Sequence, residues 1–262
     1  MPSGKRSREL RTHPAAPRTR SRQASPRVLL IGAAIVAALA AAIVVAVVLS
    51  SGSPTKATNA PAVGSLATAL PGAAEVETLF KGIPQDGTTL GSQSAPVTMV
   101  EYVDAQCPFC RAFETQVLPD VIRRYVRTGK VKIVLSMWAF IGPDSSRGQA
   151  AVLAAARQNR AFNYLELVFD QQGTENSGWL SDGLVASIAA SIPTLQVHQL
   201  LAERSTAGIK AEATTVAEIA RGRGVTSTPT IIVGKTGRAG TKVVLGGPTD
   251  EHGLIQAIEA AL

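Results

Sequence analysis

The apolar positions between residues 96 and 138 change period twice. Pro96–Asp104 (PVTMVEYVD) is an apolar, β-rich run begun by proline, which predicts a strand. Ala112, Phe113, Val117, Leu118, Val121, Ile122, Tyr125 and Val126 then recur at helical spacing. Pro119 lies inside that pattern and predicts a kink, and Gly129 predicts the end of the helix. Val131–Trp138 (VKIVLSMW) predicts a second strand, so the segment reads as a β-α-β unit. Ahead of it, EVETLFKGI predicts a short amphipathic turn and PQDGTTLGS a turn with an edge strand. Residues 145–224 read as helical, in the segments Ser146–Asn159, Ala161–Gln171, Leu180–Ser191, Thr194–Leu201 and Thr206–Arg221. A hairpin follows, from Thr230–Val233 and Lys242–Leu245 around a turn at Gly234–Gly240, and a helix over 250–261 ends the pattern.

The front of the chain is different. Val28–Leu49 is 22 residues without a polar side chain. As a helix that run spans about 33 Å, enough for a bilayer core of about 30 Å. Residues 1–27 hold eight Lys/Arg and one acid, Glu9, which account for the whole formal charge of +7. The basic tail precedes the apolar run, so the positive-inside rule puts residues 1–27 in the cytoplasm and everything beyond Leu49 outside, on a single span. Residues 50–74 are mostly Ala, Ser, Thr, Pro and Gly, which predicts a flexible linker between that span and a globular domain over 75–262. With the tail set aside the remaining chain is electrically neutral, which gives no support for a nucleic-acid-binding domain.

Composition narrows the chemistry to one place. The chain has two cysteines, Cys107 and Cys110, at the predicted strand-to-helix junction. A structural zinc site needs four ligands, and no second cysteine pair exists; His13, His198 and His252 are scattered. No metal and no cofactor is therefore expected. A purely structural bridge over so short a loop would constrain little of the unfolded chain. A redox dithiol has a mechanism: a cysteine at a helix start meets free N–H groups and the positive end of the helix dipole, which stabilise its thiolate. Pro108 suits the first helical position, and Cys110 lies one turn on.

Cys107-Pro108-Phe109-Cys110 after a strand, with the loop Gly224-Val225-Thr226-Ser227-Thr228-Pro229-Thr230 before the hairpin, resembles the thioredoxin superfamily and, within it, the DsbA-like thiol-disulfide oxidoreductases. The resemblance covers about residues 84–262. It implies an α/β thioredoxin-like fold with a helical insertion, about 145–224, between the β-α-β unit and a cis-proline hairpin. It implies Cys107, Cys110, Pro229 and Glu101 as catalytic positions, with Pro229 cis and Glu101 a buried acid near the pair. Thr228, Phe109 and Pro108 would face substrate. Phe109 departs from the histidine that the family's best-known oxidant carries at the third motif position, so that protein's redox values do not transfer.

The function implied is an extracytoplasmic oxidoreductase that introduces disulfides into secreted or envelope proteins. Its expected partners are unfolded or cysteine-containing secreted proteins and a membrane quinone-linked redox partner. Two alternatives stay open on sequence: an extracytoplasmic disulfide reductase, and a non-catalytic binding or scaffold domain on the same fold.

Overall fold

Strand β3, Val97–Val103, is the central strand of the sheet: the face of Val97, Met99, Glu101 and Val103 is buried throughout, and the opposite face is buried at Tyr102 and half-buried at Thr98 and Val100. The computed structural model describes residues 60–262. The apolar run Val28–Leu49 and the tail before it lie outside the described residues. No helix among the described residues is long and apolar enough to cross a membrane.

Six strands form one mixed sheet. In chain order they are β1 (Gln85–Asp86), β2 (Thr89–Leu90), β3, β4 (Val131–Met137), β5 (Thr230–Lys235) and β6 (Thr241–Lys242), and in space they run β1-β2-β4-β3-β5-β6. β3 and β4 are parallel, with Val97 opposite Val131 and Val103 opposite Met137, whereas β5 lies antiparallel on the other side of β3. β2 pairs antiparallel with β4 and is joined by a tight hairpin to β1, so the predicted turn and edge strand form a two-strand hairpin with β1 outermost. The predicted hairpin strand at Lys242–Leu245 is shorter than its pattern suggests: pairing stops after Lys242, and Val244 is 89% exposed.

Helix α1 (Ala73–Phe80) precedes the sheet, and α2 (Pro108–Gln116) joins β3 to β4. Pro119 breaks that connection as its missing N–H requires. α2 stops at Gln116, a short α3 (Leu118–Val121) restarts the helix with Pro119 in its first turn, and a π-helical turn over Ile122–Val126 completes it. Gly129 then takes φ 74° and turns the chain into β4.

Between β4 and β5 come α4 (Pro143–Ala156), α5 (Ala161–Asp170), α6 (Asp182–Ala190), α7 (Val197–Glu203) and α8 (Ala207–Gly222), and α9 (Glu251–Ala261) follows the hairpin. The helical insertion is therefore present, and the fold is thioredoxin-like. α5 is its centre: every residue from Ala161 to Phe169 is buried, the mark of a helix enclosed on all sides.

Part of the stretch expected to be a free linker is ordered. Val63 bridges Gln196, the Gly64 N–H donates to the Leu195 carbonyl, and Leu70 N–H donates to Ser191 Oγ. Gly64 approaches so closely that a Cβ there would lie 2.1 Å from the Ile192 carbonyl oxygen. Low-complexity composition hid this strap because its hold is mainly through backbone hydrogen bonds, which leave no hydrophobic pattern.

Candidate active site

The two cysteines lie where the parallel strands end, the usual place for a site in sheets of this kind. Val103 closes β3, and Asp104, Ala105 and Gln106 carry the chain to Cys107, which caps the N-terminus of α2. Both cysteines are free thiols. The Cys110 N–H donates to Cys107 Sγ at 3.3 Å, and the Cys107 thiol donates to the Thr228 carbonyl at 3.4 Å. The Thr228–Pro229 peptide bond is cis. The structure thus brings Cys107, Cys110, Thr228 and Pro229 together from two loops that lie 121 residues apart in the chain.

Cys107 is more buried than a helix-start cysteine suggests. Only 4% of it is exposed, because the Thr228 loop lies over its sulfur; Cys110 is fully covered. The reactive edge is instead marked by Pro108 and Phe109, both exposed, with Phe109 at 58%.

The two thiols have opposite proton affinities. The Cys110 thiol, donating to a Cys107 thiolate, brings the Cys107 pKa down to about 6, against the opposing effect of burial. Thr228 and the N–H groups of Cys110 and Phe109 add to the lowering, and Thr228 Oγ1 has no other partner. Burial pushes Cys110 well above the ordinary thiol range, and the neighbouring Cys107 raises it further. One sulfur therefore ionises near neutrality while the other keeps its proton.

Glu101 is buried in the sheet between Leu135 of β4 and Ile231 of β5, fully inaccessible and without a hydrogen-bond partner. Burial raises its pKa to about 8. Strand alternation left its face undecided because the opposite face carries apolar residues too, buried at Tyr102 and half-buried at Val100. Val97, Met99 and Val103, on the Glu101 side, join the main core with Phe113 of α2, while Tyr102 packs with Ala220 and Val225 on the other.

A polar frame around the cysteine loop was not legible in the sequence. Asp104 Oδ1 accepts from the Gln106 N–H at 2.8 Å, and Oδ2 accepts from the N–H groups of Phe140 at 2.9 Å and Ile141 at 3.2 Å. This one carboxylate ties the loop before Cys107 to the loop after β4. Phe140 stacks on Trp138 with ring centroids 4.5 Å apart and is 47% exposed. Gln106 is itself held by Ser145 Oγ and by the Asn176 N–H. The only hint in the sequence was polar residues crowding a strand end.

Vicinal thiols of unequal acidity, set at the end of a parallel strand pair beside a cis-proline loop and carrying a helical insertion, define a DsbA-like thiol-disulfide oxidoreductase. The chain belongs to the thioredoxin family: the family model Thioredoxin_4, described as "Thioredoxin", matches residues 84–243. "Probable disulfide bond formation protein D" of Bacillus cereus is 29% identical over 148 residues, which are 55% of this chain and 68% of that protein. Among solved structures, oxidised BdbD from Bacillus subtilis aligns with a TM-score of 0.59 at 21% identity, covering 68% of this chain and 96% of that one. DsbA of Chlamydia trachomatis aligns at 0.56 and 19% identity, covering 66% and 90%.

Proposed function

We propose that this enzyme introduces disulfides into secreted or envelope proteins, with Cys107 and Cys110 as its redox pair. The observation that supports the direction is the seating of Cys107 Sγ at the N-terminus of α2, where it accepts from the Cys110 N–H at 3.3 Å and its pKa is drawn down to about 6. A thiolate stabilised in the dithiol form favours that form, and so makes the disulfide form an oxidant.

The chemistry balances in two exchanges. A substrate thiolate attacks Cys107 Sγ of the enzyme disulfide; a sulfur–sulfur bond forms to Cys107 and the bond to Cys110 breaks. Cys110 leaves as a thiolate and takes up a proton, as its high proton affinity requires. A second substrate thiolate then attacks the substrate sulfur of the mixed disulfide, and Cys107 leaves as a stable thiolate. The substrate has lost two electrons and the enzyme pair has gained them. A membrane quinone-linked partner takes them away. Pro108 and Phe109 face the incoming chain, and Thr228 offers backbone groups for pairing with an extended peptide. Glu101 exchanges the Cys110 proton.

The catalytic domain works outside the cell membrane, anchored by Val28–Leu49 with residues 1–27 in the cytoplasm. The unbroken apolar run and the basic tail support that placement. A reporter fused after residue 262 is expected to be active only as an exported form.

The deciding measurement is the reduction potential of the Cys107–Cys110 pair. A value more oxidising than about −200 mV is expected; a value near the roughly −270 mV of thioredoxin would make the protein a reductase. The Cys110→Ala variant is expected to accumulate mixed disulfides at Cys107, and their absence would count against the assigned roles.

A further inference from the structure

Among the described residues, five buried carboxyl oxygens have no hydrogen-bond donor: both of Glu101, both of Glu114 and Oε1 of Glu166. The three residues are 0%, 1% and 4% exposed. They come from three elements, and each acid lies within electrostatic reach of the other two. Glu101 stands on the β3 face that joins the main core, Glu114 follows Cys110 by one turn on the buried side of α2, and Glu166 lies in α5, which packs on α2. The other buried polar side chains of α5 are satisfied. Asn163 bonds Gln85 and Glu77, and the Tyr164 hydroxyl donates to the Val185 carbonyl at 2.9 Å.

A carboxylate stripped of water and donors is costly, and three together are more so. None of the three forms a salt bridge among the described residues. No group of three or more acidic, His or Cys side chains among the described residues is arranged to hold a metal ion. Asp170, at the end of α5, adds a further acid on one side, and Arg111 of α2 and Glu75 of α1 face Asp170. Cys110, one turn before Glu114 on the buried side of α2, is the thiol that adjoins the cluster. What neutralises the cluster is its own protons.

We propose that Glu101, Glu114 and Glu166 form one shared proton store for Cys110, with Glu114 and Glu166 as positioning residues that act through Glu101. This rests on reading Cys110 as the thiol that leaves and returns. When Cys110 leaves as a thiolate, a proton passes from the store to its sulfur, and one carboxylate remains. The neutral carboxyls donate their O–H groups to that single negative charge, which no other donor serves. When the disulfide re-forms, the Cys110 proton returns to the store. Burial first, and then like charge from the neighbouring acids, pushes Glu114 and Glu166 well above the usual carboxylate range, and burial raises Glu101 to about 8.

The test is infrared spectroscopy of the full-length protein, with the rate of its reduction by a small thiol measured against pH at constant thiolate concentration. A carboxylic-acid C=O band is expected at neutral pH, together with a rate that falls as pH rises through about 8. Glu166→Leu and Glu114→Leu remove a donor to the shared charge, so each should move the midpoint of that fall upward about tenfold in proton concentration. Glu166→Gln, which still donates through its N–H groups, should restore the midpoint while weakening the acid band. Absence of an acid band in the wild-type protein at neutral pH would overturn the store, whatever the variants do. So would an unmoved midpoint in folded Leu variants. Mass spectrometry of the mixed disulfide separates the two readings: a small thiol found on Cys110 in place of Cys107 would refute the cysteine assignment and leave the infrared test standing.

Discussion

The side-chain amide of Gln172, just beyond α5, donates to the backbone carbonyl of Cys107 at 3.2 Å and to that of Ala105 at 3.0 Å. The helical insertion thus grips the backbone of the cysteine loop directly. With Asn176 bound to Gln106, the segment after α5 fixes the approach to Cys107 at two points.

Removing that grip has a defined cost. Gln172→Ala leaves the Ala105 carbonyl without its donor, while the Cys107 carbonyl keeps the Arg111 N–H, and the reduced protein should lose about 1–3 kcal/mol in denaturant unfolding. Loss of less than about 0.5 kcal/mol would mean that water replaces the amide without penalty.

Asp104 holds three N–H groups at once. In Asp104→Asn one carboxylate oxygen becomes a donor that faces other donors, so a destabilisation of about 2 kcal/mol is expected. Substrate oxidation should slow with it, because the Phe140 loop and the Cys107 loop lose their common anchor. An unchanged rate and melting temperature would remove Asp104 from the frame.

The two thiols should separate in alkylation. In the reduced protein Cys107 should react with a midpoint near pH 6, and Cys110 should stay unmodified until the protein unfolds. Thr228→Ala removes a group that favours the thiolate and should move the Cys107 midpoint up. Equal labelling of the two cysteines would contradict the assignment.

Glu101 gives stability an unusual pH dependence. Its folded pKa of about 8 lies above the ordinary 4.5, so the folded protein keeps a proton that the unfolded chain releases. Its contribution is greatest below about pH 4.5 and is lost as the pH rises through 8. In the disulfide form, where the thiols do not titrate, Glu101→Gln should gain on the wild type between pH 5 and pH 8 by a few kcal/mol. A constant difference between the two proteins over that range would show that Glu101 titrates normally.

Much of this architecture was legible in the sequence because local signals agreed. The β-rich run at Pro96–Asp104, the helical spacing after Cys110 and the Gly-punctuated hairpin each pointed to the element that formed, and Thr228–Pro229 lies beside Cys107 as the resemblance implies. What stayed hidden depends on pairings across the chain. Glu114 and Glu166 look like ordinary helix charges until α2 and α5 close over them. Gln172 and Asn176 are loop residues in sequence and become supports because the insertion folds back on the cysteine loop. Val63 and Gly64 lie in a stretch whose composition reads as linker, and only the insertion's carbonyls reveal their role.

The sheet ends at β1 on one side and β6 on the other, and each of these strands is two residues long. Strand rims are where unfolded chains stick to folded ones, and very short edges with a lysine on them, as Lys242 is here, resist that adhesion. An enzyme that repeatedly handles extended polypeptides needs one sticky place and no others. Here the sheet offers only two-residue strands at its margins, so under the proposed function capture falls to the loop beside the sulfur, where exchange also releases what is caught. On that reading the same short margins keep the enzyme from becoming a seed for its clients' aggregation.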